Sequence, residues 1–277
     1  MRVRDGVLSR LLRVGESPVL VRAWEPAAGR VALRAEPVDP GALAAPRATP
    51  SLPNRPAGPD QLRLAVERMR FALGVDDELG EFYRRFRRDP LLGPLLRRRP
   101  WLRPRRRPWA WEALAWAVVK QLIESERAAV IQRRIVARWG ARLDRDPGAL
   151  RDVPGPETIA GRAPAELAAV DLSPGRSLAL RAVAREIAAG RCDPADPATD
   201  RRLLAVPEIG PWTVQCLGLF GRGDPDSLPA GDLIYLKLVG RLARLGRRAT
   251  VDEVEQFYAP YEPFRGLAGL WTIGLYR

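Results

Sequence analysis

The residues best placed for chemistry lie in one stretch, residues 203–232, which reads LLAVPEIGPWTVQCLGLFGRGDPDSLPAGD. An apolar helix end, Leu203 to Val206, runs into a tight hairpin, Pro207-Glu208-Ile209-Gly210. Pro211 then opens a second helix, where a missing N–H costs nothing and φ is already helical. Gly210 is expected to supply the backbone freedom of the turn. The first amides of that second helix have no partner within it, and the helix dipole adds positive potential, so the hairpin is an anion site suited to a phosphate. Asp232 follows Trp212 by 20 residues and stands just before another apolar helix, residues 233–244. Read alone, an Asp there is an N-cap. With a phosphate grip upstream it is also the candidate catalytic carboxylate, and the two roles are compatible because the helix dipole favours negative charge at that place.

Composition narrows the chemistry. The chain has 277 residues, 46% of them hydrophobic, and no histidine. This length suits about two domains of ~150 residues. The absence of histidine removes Ser-His-Asp and Cys-His nucleophile systems and every His-based metal site. Cys192 and Cys216 are the only cysteines, too few for an iron–sulfur cluster or a Cys-rich zinc site. No metal site is expected, and two cysteines fit a reducing cytoplasm. The net charge of +13 favours a polyanion. Only Lys120 and Lys237 are lysines. Coding bias explains that preference for arginine, but not the excess of bases over acids. No signal peptide and no apolar run of ~18 residues is visible, so a soluble cytoplasmic protein without a membrane partner is expected.

The elements that must position these residues are mainly helical. Residues 19–24 and 31–36 read as two strands of a hairpin with a Gly-containing connection at 27–30. Residues 37–60 hold seven prolines and read as an exposed loop. Leu62, Val66, Met69 and Leu73 give a helical stripe with Asp60 as its cap; Leu79, Phe82, Tyr83 and Phe86 give the next. An arginine-rich segment follows, from Arg84 to Arg107, with Trp101 and Trp109 interleaved. It reads either as a solvated helix end and loop or as a phosphate-tracking patch. Helices are predicted at 111–124, 128–139, 174–189, 250–258 and 264–276, with short helices over 141–172. The division is expected to be a small N-terminal β-containing domain, 1–75, and a helical domain, 76–277, with the helix–hairpin–helix at 203–220.

This pattern resembles the helix–hairpin–helix DNA glycosylases, and WEALAWAVVKQLIES at 111–125 is similar to a helix of the DNA-3-methyladenine glycosylase II branch. The resemblance implies a mainly α fold with a small α+β first domain. It also implies base-excision repair: hydrolysis of the N-glycosidic bond of alkylated purines in duplex DNA by a monomer of the nucleoid. Asp232 matches the catalytic aspartate. Gln121 and Leu122 match a Gln-Leu pair whose Leu wedges into the duplex. Ile209, Gly210, Trp212 and Thr213 fall on the DNA-binding hairpin, and Trp111, Trp212, Tyr235 and Trp271 on the base pocket. Bifunctional members carry a lysine where Trp212 stands, so a monofunctional enzyme without lyase activity is implied. No cofactor is implied beyond a monovalent cation that relatives hold on hairpin carbonyls.

Three positions depart from the family pattern. Glu208 replaces the first Gly of the hairpin, which predicts a repelling carboxylate near the phosphate and a turn denied its Gly angles. Cys216 replaces an aromatic. Trp271 stands about two residues early. These departures keep open a non-catalytic DNA binder and a glycosylase for oxidised or deaminated bases.

Overall fold

A computed structural model describes residues 2–44, 56–144 and 148–275. Pro46, Pro50 and Pro53 of the Pro-rich stretch, Pro147, and Tyr276 at the expected end of the last helix lie outside the described residues. In chain order the elements begin β1 (Arg2–Arg4), β2 (Val7–Val14), β3 (Ser17–Ala27), β4 (Arg30–Pro37) and β5 (Leu43–Ala44). Helices α1 (Pro59–Leu73), α2 (Gly80–Phe86), α3 (Leu92–Arg98), α4 (Ala110–Lys120) and α5 (Ser125–Trp139) follow. Strands β6 (Arg142–Leu143) and β7 (Leu150–Arg151) precede α6 (Pro156–Ala160), α7 (Pro164–Ala168) and α8 (Pro174–Ala188). The remainder is α9 (Asp200–Leu204), α10 (Pro211–Leu217), α11 (Leu233–Leu242), α12 (Val251–Tyr258) and α13 (Arg265–Thr272). The fold is mainly α with a small N-terminal antiparallel sheet.

The chain forms two units, neither continuous in sequence. One comprises Met1–Arg70, Val118–Asp193 and Val206–Glu208; the other comprises Phe71–Ala117, Pro194–Ala205 and Ile209–Arg277. The first change of unit falls at 70/71. The later crossings carry no shift in composition.

In the first unit β1–β4 form a meander in sequence order. Ala27 pairs with Arg30 across the two-residue connection, where Gly29 takes φ +74°. Leu11 and Leu20 meet Val38, Leu43, Ala141, Leu143 and Leu150 in one buried cluster. Strands β5, β6 and β7 make a second small antiparallel sheet. Arg142–Leu143 and Leu150–Arg151 are therefore strands rather than the short helices expected there, because Leu143 and Leu150 fill the space beside the N-terminal sheet. Asp152 joins the pieces. Its buried carboxylate accepts the Ala141 amide at 2.6 Å and pairs with Arg13 of β2 at 3.1 Å.

The second unit is built around aromatic rings. Phe82 lies 5.4 Å from Phe86 and 5.2 Å from Trp271, and Tyr235 lies 5.8 Å from Tyr258. Thr250 caps α12 in a reciprocal pair with Glu253, as its sequence predicts. Asp60 is in the first turn of α1 rather than its cap, since Pro59 already occupies the first helical position. The arginine-rich segment contains a helix, α3, and its arginines divide by role. Arg106 is bound to Asp77 through both guanidinium nitrogens (2.7 and 2.9 Å) and lies over the Phe71 ring. Arg84, Arg85, Arg87, Arg88, Arg97 and Arg98 are exposed. Among the described residues no helix is long and apolar enough to cross a membrane, and no group of three or more His, Cys, Asp or Glu is placed to hold a metal ion.

Candidate active site

Helix α9 ends at Leu204 and α10 begins at Pro211, so the expected helix–hairpin–helix is present. Its turn differs from the expectation in one instructive way. Gly210 has φ −107° and ψ 178°, extended backbone open to any residue. The left-handed conformation falls on Glu208, at φ +68°. The Gly-type angle thus survives at this position although the Gly does not. An L residue there is strained by roughly 1–2 kcal/mol. The Glu208 carboxylate turns toward α8: a Cβ placed on Gly175, in the first turn of that helix, would lie 3.7 Å from Glu208 Cδ. A helix N-terminus favours the negative charge, which accounts for a carboxylate at this place in a basic chain.

Beyond the turn, Ile209 is buried, and Gly210 serves as the N-cap of α10. Thr213 and Val214 return their amides to the Gly210 carbonyl, at 3.0 and 3.3 Å. Thr213 is buried as a whole residue, so it stands behind the surface of the turn. Trp212 is half-buried, and its Nε1 is buried without a hydrogen-bond partner among the described residues. After Leu217 the helix widens into one π turn, Gly218–Arg222, and stops at Gly223 with φ +77°. Glycines are required along this turn. A Cβ on Gly221 would meet Ala113 and Leu217 at 2.8 Å.

Asp232 is the N-cap of α11, as expected, and its carboxylate accepts the Ile234 amide at 3.1 Å. One oxygen is used in that bond, and the residue stays partly exposed. The preceding residue, Gly231, brings the loop against the hairpin helix: a Cβ there would lie 3.8 Å from Trp212 Cδ1. Trp212 and the Asp232 loop are therefore neighbours. Tyr235, one turn along α11, is 1% exposed. Its hydroxyl is held well above its ordinary pKa, first by burial and then by Tyr258, Asp232 and Cys216 close by. Cys216, where relatives carry an aromatic, thus belongs to the same neighbourhood.

Two expected pocket residues sit deeper than a pocket wall requires. Tyr235 and Trp271 are both about fully buried, in one cluster with Phe82 and Tyr258. Ring packing explains this: Trp271 is a partner of both Phe82 and Tyr83. Trp111 is also buried, on α4 beside Glu112, whose carboxylate accepts Trp116 Nε1 at 3.2 Å.

Leu122 carries the clearest signal in the first unit. Helix α4 stops at Lys120, short of the expected Glu124. Leu122 follows in the left-handed conformation, φ +56°, and is 103% exposed. An apolar side chain held in full solvent by an unfavourable backbone angle is not a packing residue. Its neighbour Gln121 donates from Nε2 to the Glu208 carbonyl at 2.7 Å. Sequence reading missed this bond, the left-handed angle of Glu208 and the role of Gly231. The hairpin and the end of α4 are far apart in sequence, and nothing in either stretch announces the other.

Solved structures of DNA glycosylases share this fold. The 3-methyladenine DNA glycosylase from Archaeoglobus fulgidus has the same fold, with a TM-score of 0.79 over 99% of this chain and 88% of that one, at 19% identity. The apo 8-oxoguanine glycosylase/lyase of Clostridium acetobutylicum matches with a TM-score of 0.67 over 95% of this chain and 87% of that one, at 14% identity. In sequence the chain is similar to the DNA-3-methyladenine glycosylase of Bacillus subtilis (strain 168), 25% identical over 207 residues, 72% of this chain and 68% of that protein. No family model matches the chain.

Proposed function

We propose that this protein is a monofunctional DNA glycosylase of base-excision repair that releases alkylated purines from duplex DNA. The observation that carries the reading is one partly exposed carboxylate, Asp232, on a loop whose preceding residue, Gly231, lies against Trp212 of the hairpin helix. The hairpin amides at Gly210 and Trp212 grip a backbone phosphate and set register without reading sequence. Leu122 enters the stack and fills the space of the extruded nucleotide. The base leaves the duplex to lie against Trp212. Trp111, Tyr235 and Trp271 act only as packed interior behind it.

Asp232 then stabilises the positive charge that develops on the sugar as the N-glycosidic bond breaks, and its free oxygen orients water for attack. Such charge stabilisation is commonly worth ~10²–10³ in rate. An alkylated purine is already cationic, so it leaves without a strong acid, which suits a chain without histidine. A cation on a Trp face gains ~0.5–2 kcal/mol. The protein acts on damaged double-stranded DNA as a monomer of the cytoplasm, associated with the nucleoid. A monovalent cation is compatible with the hairpin, whose backbone carbonyls are uncharged oxygen donors. When bound, it would stiffen the turn.

The lyase alternative needs an amine at the sugar. Trp212 stands where that lysine would be, and the chain has only Lys120 and Lys237 to offer. The test is release of free base from methylated duplex DNA by the native protein and by Asp232→Asn, with borohydride added in parallel. Asn keeps the helix cap, so the variant is expected to fold and bind normally while excision falls by about 10² or more. No covalent adduct with borohydride is expected. Release of an oxidised base instead would move the specificity. A borohydride-trapped complex would overturn the monofunctional reading, and tight binding with no release of any base would leave a non-catalytic binder.

A further inference from the structure

We infer that Gln121 is a positioning residue: its side-chain amide holds the left-handed turn at Glu208, and so anchors the start of the hairpin to the residue before the wedge, Leu122. This rests on the glycosylase reading for its purpose, though not for its geometry. The bond is short, 2.7 Å from Nε2 to the Glu208 carbonyl, and links residues 87 apart in sequence. It falls on the one hairpin residue with positive φ. A glycine would adopt that angle unaided, whereas an L residue needs surrounding structure to over-determine it.

The surroundings do so from two sides. The Glu208 carboxylate rests over Gly175 in the first turn of α8. Arg176, the next residue, donates from one guanidinium nitrogen to the Val119 carbonyl and from another to Ser173 Oγ, each at 2.9 Å. Val119 lies in the last turn of α4, two residues before Gln121. The end of α4, the start of α8 and Glu208 therefore form one connected cluster within the first unit. The two devices proposed to handle DNA, a phosphate grip and an apolar wedge, leave this cluster from adjacent residues. Loss of the Gln121 amide frees the turn at Glu208 to relax, and the amides that follow it lose their fixed anchor.

Glu208→Gly separates this role from a direct contact between Gln121 and DNA. The experiment is a cycle of Gln121→Ala, Glu208→Gly and the double variant. It reads affinity for a duplex holding a tetrahydrofuran abasic analogue, and amide hydrogen exchange over residues 209–213 without DNA. Gln121→Ala is expected to weaken binding about 10-fold and speed exchange comparably, with Tm unchanged within about 2 °C. In the Glu208→Gly background the same substitution should cost at most about 2-fold. Gln121→Glu keeps the size and removes the donor, and should repeat the loss, which guards against a packing defect in the alanine variant. Equal losses in both backgrounds, or unchanged exchange, would overturn the inference while leaving the glycosylase reading intact. Failure of the native protein to bind the abasic duplex, with exchange still coupled, would overturn that reading and not the cluster.

Discussion

At the scale of single residues, Asp232 and Leu122 carry the proposed chemistry, and Leu122 is placed where stability alone would not put it. Asp232 spends one oxygen on the Ile234 amide and stays partly exposed, so its cap and a role toward a ligand are compatible. Leu122 is the sharper case. Leucine at φ +56° costs roughly 1–2 kcal/mol relative to a residue suited to that angle, and full exposure returns nothing through burial. A Leu→Ala change in a core would lose 2–5 kcal/mol; here the sign reverses. Leu122→Gly is expected to leave Tm unchanged or raise it by about 1–3 °C, while single-turnover base release falls about 10-fold. Thermal unfolding and a quench-flow assay on the same preparation check both halves. A drop in Tm of several degrees would return Leu122 to the role of a packing residue. Unchanged base release would remove the wedge.

At the scale of elements, legibility followed burial. Helices with one wet face, such as α1 and α12, showed their stripes in sequence, and α12 also showed its cap. Strand β2 did not, because Arg10, Leu11 and Leu12 are all buried, and a strand covered on both faces loses its alternation. The end of α4 was read four residues late, since nothing local marks Leu122 as left-handed. The hairpin was recognised, but its positive φ was assigned to the wrong residue, because glycine's presence at 210 is a weaker guide than the geometry around Glu208. Asp232 was legible through spacing to the hairpin. The tie between β2, β6 and β7 was not, yet it governs a pH response. Burial pushes the Asp152 carboxyl up to about 6, against the opposing pull of Arg13 and the Ala141 amide. A raised carboxyl pKa means that the folded state binds the proton more tightly than the unfolded chain. Its contribution is full below about pH 4 and is lost as pH rises through about 6, by about 2–3 kcal/mol. Urea unfolding of the native protein and Asp152→Asn at pH 4, 5, 6 and 7 isolates this share, because the other carboxyls are common to both. The native protein should lose stability relative to the variant across that window. Parallel curves would show that Asp152 titrates alike in both states.

At the scale of the whole molecule, charge decides how DNA is found. A net charge of +13 is spread over arginines of two kinds. Arg106 and Arg222 are committed to Asp77 and Asp200 in largely buried pairs, and serve the fold. Arg84, Arg88 and Arg98 are exposed and have no acidic partner among the described residues. A field from many such charges reaches about 8–10 Å at moderate salt and raises encounter rates more than it slows departure. Replacing these three with Gln lowers the net charge to about +10 without touching the hairpin, Leu122 or Asp232. Stopped-flow binding to an undamaged duplex should then show association slowed several-fold at about 50 mM salt, the difference vanishing near 0.5 M, with dissociation nearly unchanged. If dissociation changed instead, the three arginines would be direct phosphate contacts, and the arginine-rich segment would join the DNA-binding surface rather than steer toward it. If neither rate moved, its charge would be solvated surface, and the affinity for DNA would have to come from the hairpin and its surroundings alone.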